Sequence, residues 1–143
     1  MPILDFREDG YLPEGLHQAT EAEVLFRFGA STRRRRRLAL RLRHWLDLAR
    51  AVRSRRFVVD GSFVTAKPVP GDLDAVVLVS DTFGQNGQRM SEAGMDLEEI
   101  VRTRHDGDLF AAADDDEFSG WVEFFKQTRE TDGRPKGVVE VLL

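Results

Sequence analysis

The 143-residue chain contains no cysteine, which excludes disulfides and thiolate metal sites and makes a cytoplasmic address the simplest expectation. Histidine is nearly as scarce. His17, His44 and His105 stand far apart, without the spacing of a zinc site, and read as structural or surface residues. No apolar run approaches the ~18 residues that a membrane span requires. The longest aliphatic stretch, Ala75 to Val79, has the length of a buried strand. Met1 to Gly10 carries Asp5, Arg7, Glu8 and Asp9 with no apolar segment, so a secretory leader is not expected. Internal repeats and low-complexity linkers are lacking too.

Hydrophobic residues make up 41% of the chain and charged residues 32%, a balance that provides one core beneath a well-solvated surface. The length fits a single domain, 1–143. The net charge of −4 hides an uneven distribution. Between Ser31 and Arg56 a dense set of arginines, Arg33 to Arg37 foremost, faces one acid, Asp47, while Asp114, Asp115, Asp116 and Glu117 form an acidic run further on.

Hydrophobic period and turn chemistry divide the chain. Residues 1–19 are punctuated by Pro2, Gly10, Pro13 and Gly15 and read as an irregular lead-in. Thr20 and Glu23 have capping-box spacing before a short helix, Ala22 to Phe28, which Gly29 stops. Ser31 or Thr32 can cap a longer helix to about Ser54, with Leu38, Leu42, Trp45, Ala49 and Val52 as its apolar stripe. Phe57 to Val59 reads as a strand ending at Asp60-Gly61-Ser62, and Leu73 to Val79 as a central strand, apolar except for Asp74. Ser80 to Gly87 is turn-rich. Ser91 to Arg104 reads as a helix with Met95, Ile100 and Val101 inward, and His105 to Phe110 as a strand weakened by Gly107. Phe118 to Arg129 reads as a helix whose Trp121, Phe124 and Phe125 anchor it to the sheet. Thr131 to Lys136 is a turn, and Val138 to Leu143 a last strand. The order α-α-β-β-α-β-α-β predicts one mixed α/β (α+β) domain.

The segment with chemistry in it is Gly61-Ser62, then Asp72-Leu73-Asp74 at the mouth of the apolar run. Residues two apart on a strand share a face, so Asp72 and Asp74 should project together. Two such carboxylates repel and resist desolvation unless a cation lies between them. Hard oxygen ligands favour magnesium or manganese, whose shell is ordinarily completed by water and substrate phosphate. Gly61 permits a tight turn and close backbone approach, and Ser62 offers a hydroxyl and an amide to phosphate oxygens. Pro70-Gly71-Asp72 is also ordinary turn chemistry, which accounts for Asp72 but not for Asp74 inside the strand.

This arrangement resembles the nucleotidyltransferase superfamily, whose signature is a strand, Gly-Ser, a spacer and Asp-x-Asp on the next strand. More narrowly, the chain resembles a family of minimal nucleotidyltransferase-like bacterial proteins. That resemblance is carried by Leu12-Pro13-Glu14-Gly15-Leu16-His17, Gly61 to Thr65 with Pro70 to Asp74, Phe124-Phe125 with Arg129, and Lys136-Gly137-Val138. It implies a mixed sheet flanked by helices and transfer of an NMP group from a nucleoside triphosphate to a hydroxyl of a protein, RNA or small molecule. It also implies a setting such as a toxin–antitoxin or defence system, and a third carboxylate beside Asp72 and Asp74, for which Asp106 and Asp108 are the candidates. Asp108, followed by Leu109 and Phe110, is the one expected.

Lys67, Arg134 and Lys136 lie where they could neutralise a triphosphate, with Lys67 and Lys136 taken as nucleotide-binding, against the alternative that they are solvated surface charges. Arg33 to Arg37 place positive charge in the first turns of a helix, where the macrodipole disfavours it. RNA phosphates or an acidic partner protein would offset that, and so would pairing with Glu21, Glu23 or the run Asp114 to Glu117.

Overall fold

A computed structural model describes residues 3–79, 83, 90–104 and 107–143. They form a mixed α+β domain: a five-stranded sheet flanked by four helices. In chain order the elements are β1 (Gly15–Thr20), α1 (Glu21–Phe28), α2 (Arg33–Ala51), β2 (Arg56–Asp60), a 3-10 turn (Ser62–Val64), β3 (Asp74–Leu78), α3 (Glu92–Thr103), β4 (Asp108–Ala112), α4 (Asp115–Phe125) and β5 (Gly137–Leu142). The sheet runs β1-β5-β2-β3-β4. β1 pairs parallel with β5 and β3 with β4, while β2 is antiparallel to both its neighbours.

Local chemistry sets most boundaries. Thr20 and Glu23 close the expected capping box at α1. At α2, Thr32 rather than Ser31 is the cap. Leu38, Leu42, Trp45 and Ala49 are buried as the stripe predicts. Together α1, α2 and α3 cover one sheet face, burying Phe57, Val59, Ala75, Val77 and Leu109. On the other face α4 covers part of the sheet, where Val58, Val76, Leu78 and Ala112 meet Phe118, Val122 and Phe125. Each valine, leucine or phenylalanine among them contributes ~1.5–3 kcal/mol when fully buried.

Four expectations are corrected. The lead-in is not irregular throughout: Gly15–Thr20 is an edge strand, which lacks an apolar alternation because only Ala19 of it is fully buried. Met95 is exposed, and Leu97 is the buried large apolar residue of α3. The fourth helix begins at Asp115, capped by Asp114, so the acidic run forms its first turn, favourable to the macrodipole. The last expected strand of the middle region starts later, at Asp108, because Gly107 holds φ +133° ahead of it. Residues 80–82 and 84–87 of the turn-rich connection, His105, and Asp106 as an alternative third carboxylate lie outside the described residues. Among the described residues no helix is long and apolar enough to cross a membrane.

Candidate functional site

Sheet register builds a row of acids. Asp60 ends β2 and pairs with Asp74, the first residue of β3, which in turn pairs with Asp108, the first residue of β4. Cross-strand partners share a face, and here it is the α4 face, beyond the end of that helix's buried stripe. Asp72, two residues before Asp74, joins the row, and the two carboxyls interact side by side, which lowers Asp72 and raises Asp74. The expected common direction of Asp72 and Asp74 is therefore present, and Asp108 is the third aspartate of the cluster. Asp60 was not anticipated. The clue was available: it ends an apolar strand directly before the Gly-Ser turn, as Asp74 begins one after it.

Gly61 turns the chain between the two halves of the motif. It adopts φ +90°, and a Cβ there would fall 2.9 Å from the Asp72 carbonyl oxygen and 3.1 Å from the Asp74 nitrogen. A side chain is thus excluded twice, by conformation and by space. Ser62 opens the 3-10 turn. Its amide donates to Asp72 Oδ1 at 2.9 Å, its hydroxyl donates to the same oxygen, and the Asp72 amide donates back to Ser62 Oγ at 3.1 Å. The donors expected to meet phosphate are thus satisfied by Asp72.

The electrostatics follow from this crowding. Burial, then the charges of Asp72 and Asp60, the hydrogen bond to Asp72 and the charge of Asp108 push the Asp74 carboxyl up to about 7. Burial raises Asp72 as well, but the Ser62 hydroxyl and amide, Asp74 and the Arg129 charge together hold it below the ordinary carboxylate value. Asp60 is buried and raised, against the pull of Lys136, whose ammonium it engages directly. Lys136 is therefore inside the site as expected, yet committed to Asp60 and not a solvated charge. Lys67 lies at the exposed margin.

These groups line an open cleft of about 820 Å³. Its floor is Asp60, Ser62, Asp72, Asp74 and Asp108; Lys67 and Arg129 stand at its sides. Arg134 is held outside by Asp132 and Asp9. Among the described residues no three carboxylate or imidazole groups converge tightly enough to hold a metal ion by themselves. Asp72 is turned to Ser62, Asp60 to Lys136, and Asp108 is exposed. The donor set still suits a hard cation, because magnesium takes one or two carboxylates and completes its shell with water and phosphate.

The arginine run has a role that neither expectation covered in full. Arg35 is buried, and its guanidinium donates to the carbonyls of Phe28 and Phe63 at 3.1 and 2.7 Å and of Thr65 and Lys67 at 2.6 Å each. Arg34 donates to the Pro70 and Gly71 carbonyls at 2.9 and 3.0 Å. Together they clamp the whole loop from the Gly-Ser turn to Asp72. Arg36 reaches the Ala30 carbonyl, and it is exposed, as are Arg33 and Arg37. Internal pairing occurs elsewhere in the basic block: Glu21 engages Arg50 at 2.6 Å and Arg43 at 3.8 Å, and Arg55 lies 3.8 Å from Asp115. Carbonyl clamping was not visible in the sequence, since the acceptors are backbone atoms.

The aromatic anchors also divide. Phe118 and Phe125 are buried and Trp121 stacks on Phe110 at 3.9 Å, but Phe124 is 65% exposed and lines the cleft, so it is not an anchor. His17 is structural, its ring nitrogen 2.6 Å from the Pro13 carbonyl oxygen, and His44 is on the surface.

No curated protein and no solved structure matches the chain. A family match does extend over residues 4–142, taking in every strand, the clamp and all four acids; the chain belongs to DUF6932, a family of unknown function.

Proposed function

We propose that this protein is a metal-dependent nucleotidyltransferase, moving an NMP group from a nucleoside triphosphate to a hydroxyl of a protein, an RNA or a small molecule in the cytoplasm. The observation that carries this reading is the convergence of Asp60, Asp72, Asp74 and Asp108 with the Gly61-Ser62 turn on one cleft. An acidic cluster of this density, at the ends of three adjacent strands, has little structural use. It costs stability unless a cation offsets it.

Asp72, Asp74 and Asp108 would hold magnesium or manganese, which when bound would neutralise charge on the phosphoryl oxygens. Ser62 would exchange the Asp72 carboxylate for a phosphate oxygen, freeing that carboxylate to turn towards the cluster. Lys67 and Arg129 would face the triphosphate charge, while Lys136 holds Asp60 in place. In the transfer itself the acceptor oxygen bonds to the α-phosphorus, and the bond to the pyrophosphate oxygen breaks with its electron pair. Asp108, the most solvated acid of the row, takes the hydroxyl proton.

A second reading keeps the fold as a binding module for RNA or an acidic protein. Its support is narrowed to the exposed Arg33, Arg36 and Arg37. Transfer of label from α-labelled triphosphates to acceptors co-purified from the native host separates the two. Magnesium-dependent labelling that drops at least about 100-fold in Asp74→Asn supports the enzyme, since even outer-shell changes at metal sites cost 10–100-fold. Salt-sensitive RNA or protein binding, with no response to nucleotide in either protein, supports the module.

A further inference from the structure

Phe124 is exposed for a reason that helix geometry makes plain. Phe118, Val122 and Phe125 recur at four- and three-residue steps and form the buried stripe of α4. Trp121 and Phe124, three residues apart, lie beside that stripe with their rings edge-on at 6.1 Å, and of these two it is Phe124 that lines the cleft. Phe110 lines it too: this ring stacks on Trp121 at 3.9 Å and stands two residues beyond Asp108 on the same strand face. The cleft therefore has an acidic floor and one aromatic wall of Phe110, Phe125 and Phe124, backed by Trp121, that starts beside the acids and ends at an open ring. Tyr11, Gln127 and Arg129 are among the residues that line its other sides. A solvated Phe at a concave surface leaves apolar area available that the fold does not use.

We propose that Phe124 is the stacking surface for the nucleobase of the bound nucleotide, an inference that rests on the nucleotidyltransferase reading and deepens it. A ligand with phosphates on the floor extends its sugar and base along the wall. Every base has a π-face, so a stacking wall selects weakly among bases, with purines ahead of pyrimidines because they overlap the ring more fully. The floor supplies recognition of the triphosphate. The wall supplies recognition that the ligand is a nucleotide at all.

Calorimetric titration in magnesium of the parent, Phe124→Ala and Phe124→Trp, with ATP, CTP and inorganic tripolyphosphate, tests this. Phe124 is exposed, so the variants keep the core, and far-ultraviolet circular dichroism checks that they do. Expected are ATP affinity about ten- to a hundred-fold lower in Phe124→Ala, tripolyphosphate affinity unchanged, recovery in Phe124→Trp, and ATP ahead of CTP in the parent. Quenching of Trp121 fluorescence by ATP but not by tripolyphosphate is expected alongside. Equal ATP affinity in the parent and Phe124→Ala, or ATP binding no tighter than tripolyphosphate, overturns the stacking role and leaves the nucleotide reading standing. Failure of both ATP and tripolyphosphate to bind the parent overturns the nucleotide reading, and this inference with it.

Discussion

At one end of β2, Arg56 grips Glu140 through hydrogen bonds of 2.7 and 2.9 Å and lies 4.8 Å over the Phe118 ring. At the other end Asp60 stands beside Asp72, Asp74 and Asp108, with Lys136 as the buried cation. Both ends belong to one sheet face. The first matches acid to base: the hydrogen bond from Arg56 holds the Glu140 carboxyl below its ordinary value. The second gathers acids beyond what its bases match, and Asp74 is pushed up to about 7. A fold needs ends of the first kind; the second kind is tolerated where a ligand restores the balance.

The largest effect should come from breaking the matched end. Arg56→Ala strands a buried carboxylate and should cost about 2–3 kcal/mol, between the values for exposed and fully buried pairs. The midpoint in a thermal melt should fall by about 6–10 °C for a chain of this size. The unmatched end should respond with the opposite sign. Asp74→Asn removes the repulsion, so the metal-free protein at pH 8 should gain about 1–2 kcal/mol, a value discounted for the partial solvation of that carboxyl. A loss of stability in this variant would mean that Asp74 is an ordinary structural residue.

Acid titration sharpens the contrast. Glu140, depressed by Arg56, contributes stability above its ordinary range that is lost as pH falls. Asp74, raised to about 7, keeps a proton in the folded state that the unfolded chain releases near 3.9. Metal-free stability should therefore decline as pH rises from about 4 to 7, and magnesium with ATP should reverse part of that decline by binding the folded state alone. Urea melts from below pH 4 up to pH 7, with and without the ligands, read both slopes. Asp108→Asn should be the mildest change, within about 0.5 kcal/mol in the absence of ligands because the residue is exposed, yet it should lower transfer activity.

The sequence disclosed the two halves of this comparison unequally. Asp72 and Asp74 were legible because a charge inside an apolar strand violates the pattern around it, and Gly61 because a turn of that tightness needs it. Thr20 with Glu23 and the stripe on α2 were legible for a similar reason, since they are local. What could not be read depends on register and on backbone acceptors. Asp60 joins the cluster through its pairing with Asp74, Arg35 acts on four carbonyls, and β1 is a strand only because β5 lies beside it. Phe124 belonged to a run of aromatics whose inward and cleftward members differ by a fraction of a helical turn.

Titration of the aspartate side-chain carboxyls by carbon-13 NMR, in the apo protein and again with magnesium and a non-hydrolysable triphosphate, reaches the central claim without assuming an acceptor. The account predicts an Asp74 midpoint of about 7 in the apo protein and a fall to well below that value with the ligands bound, because a coordinated carboxylate gives up its proton. An Asp74 that titrates near 3.9 in the apo protein, or whose midpoint does not move when magnesium and triphosphate are added, would contradict it.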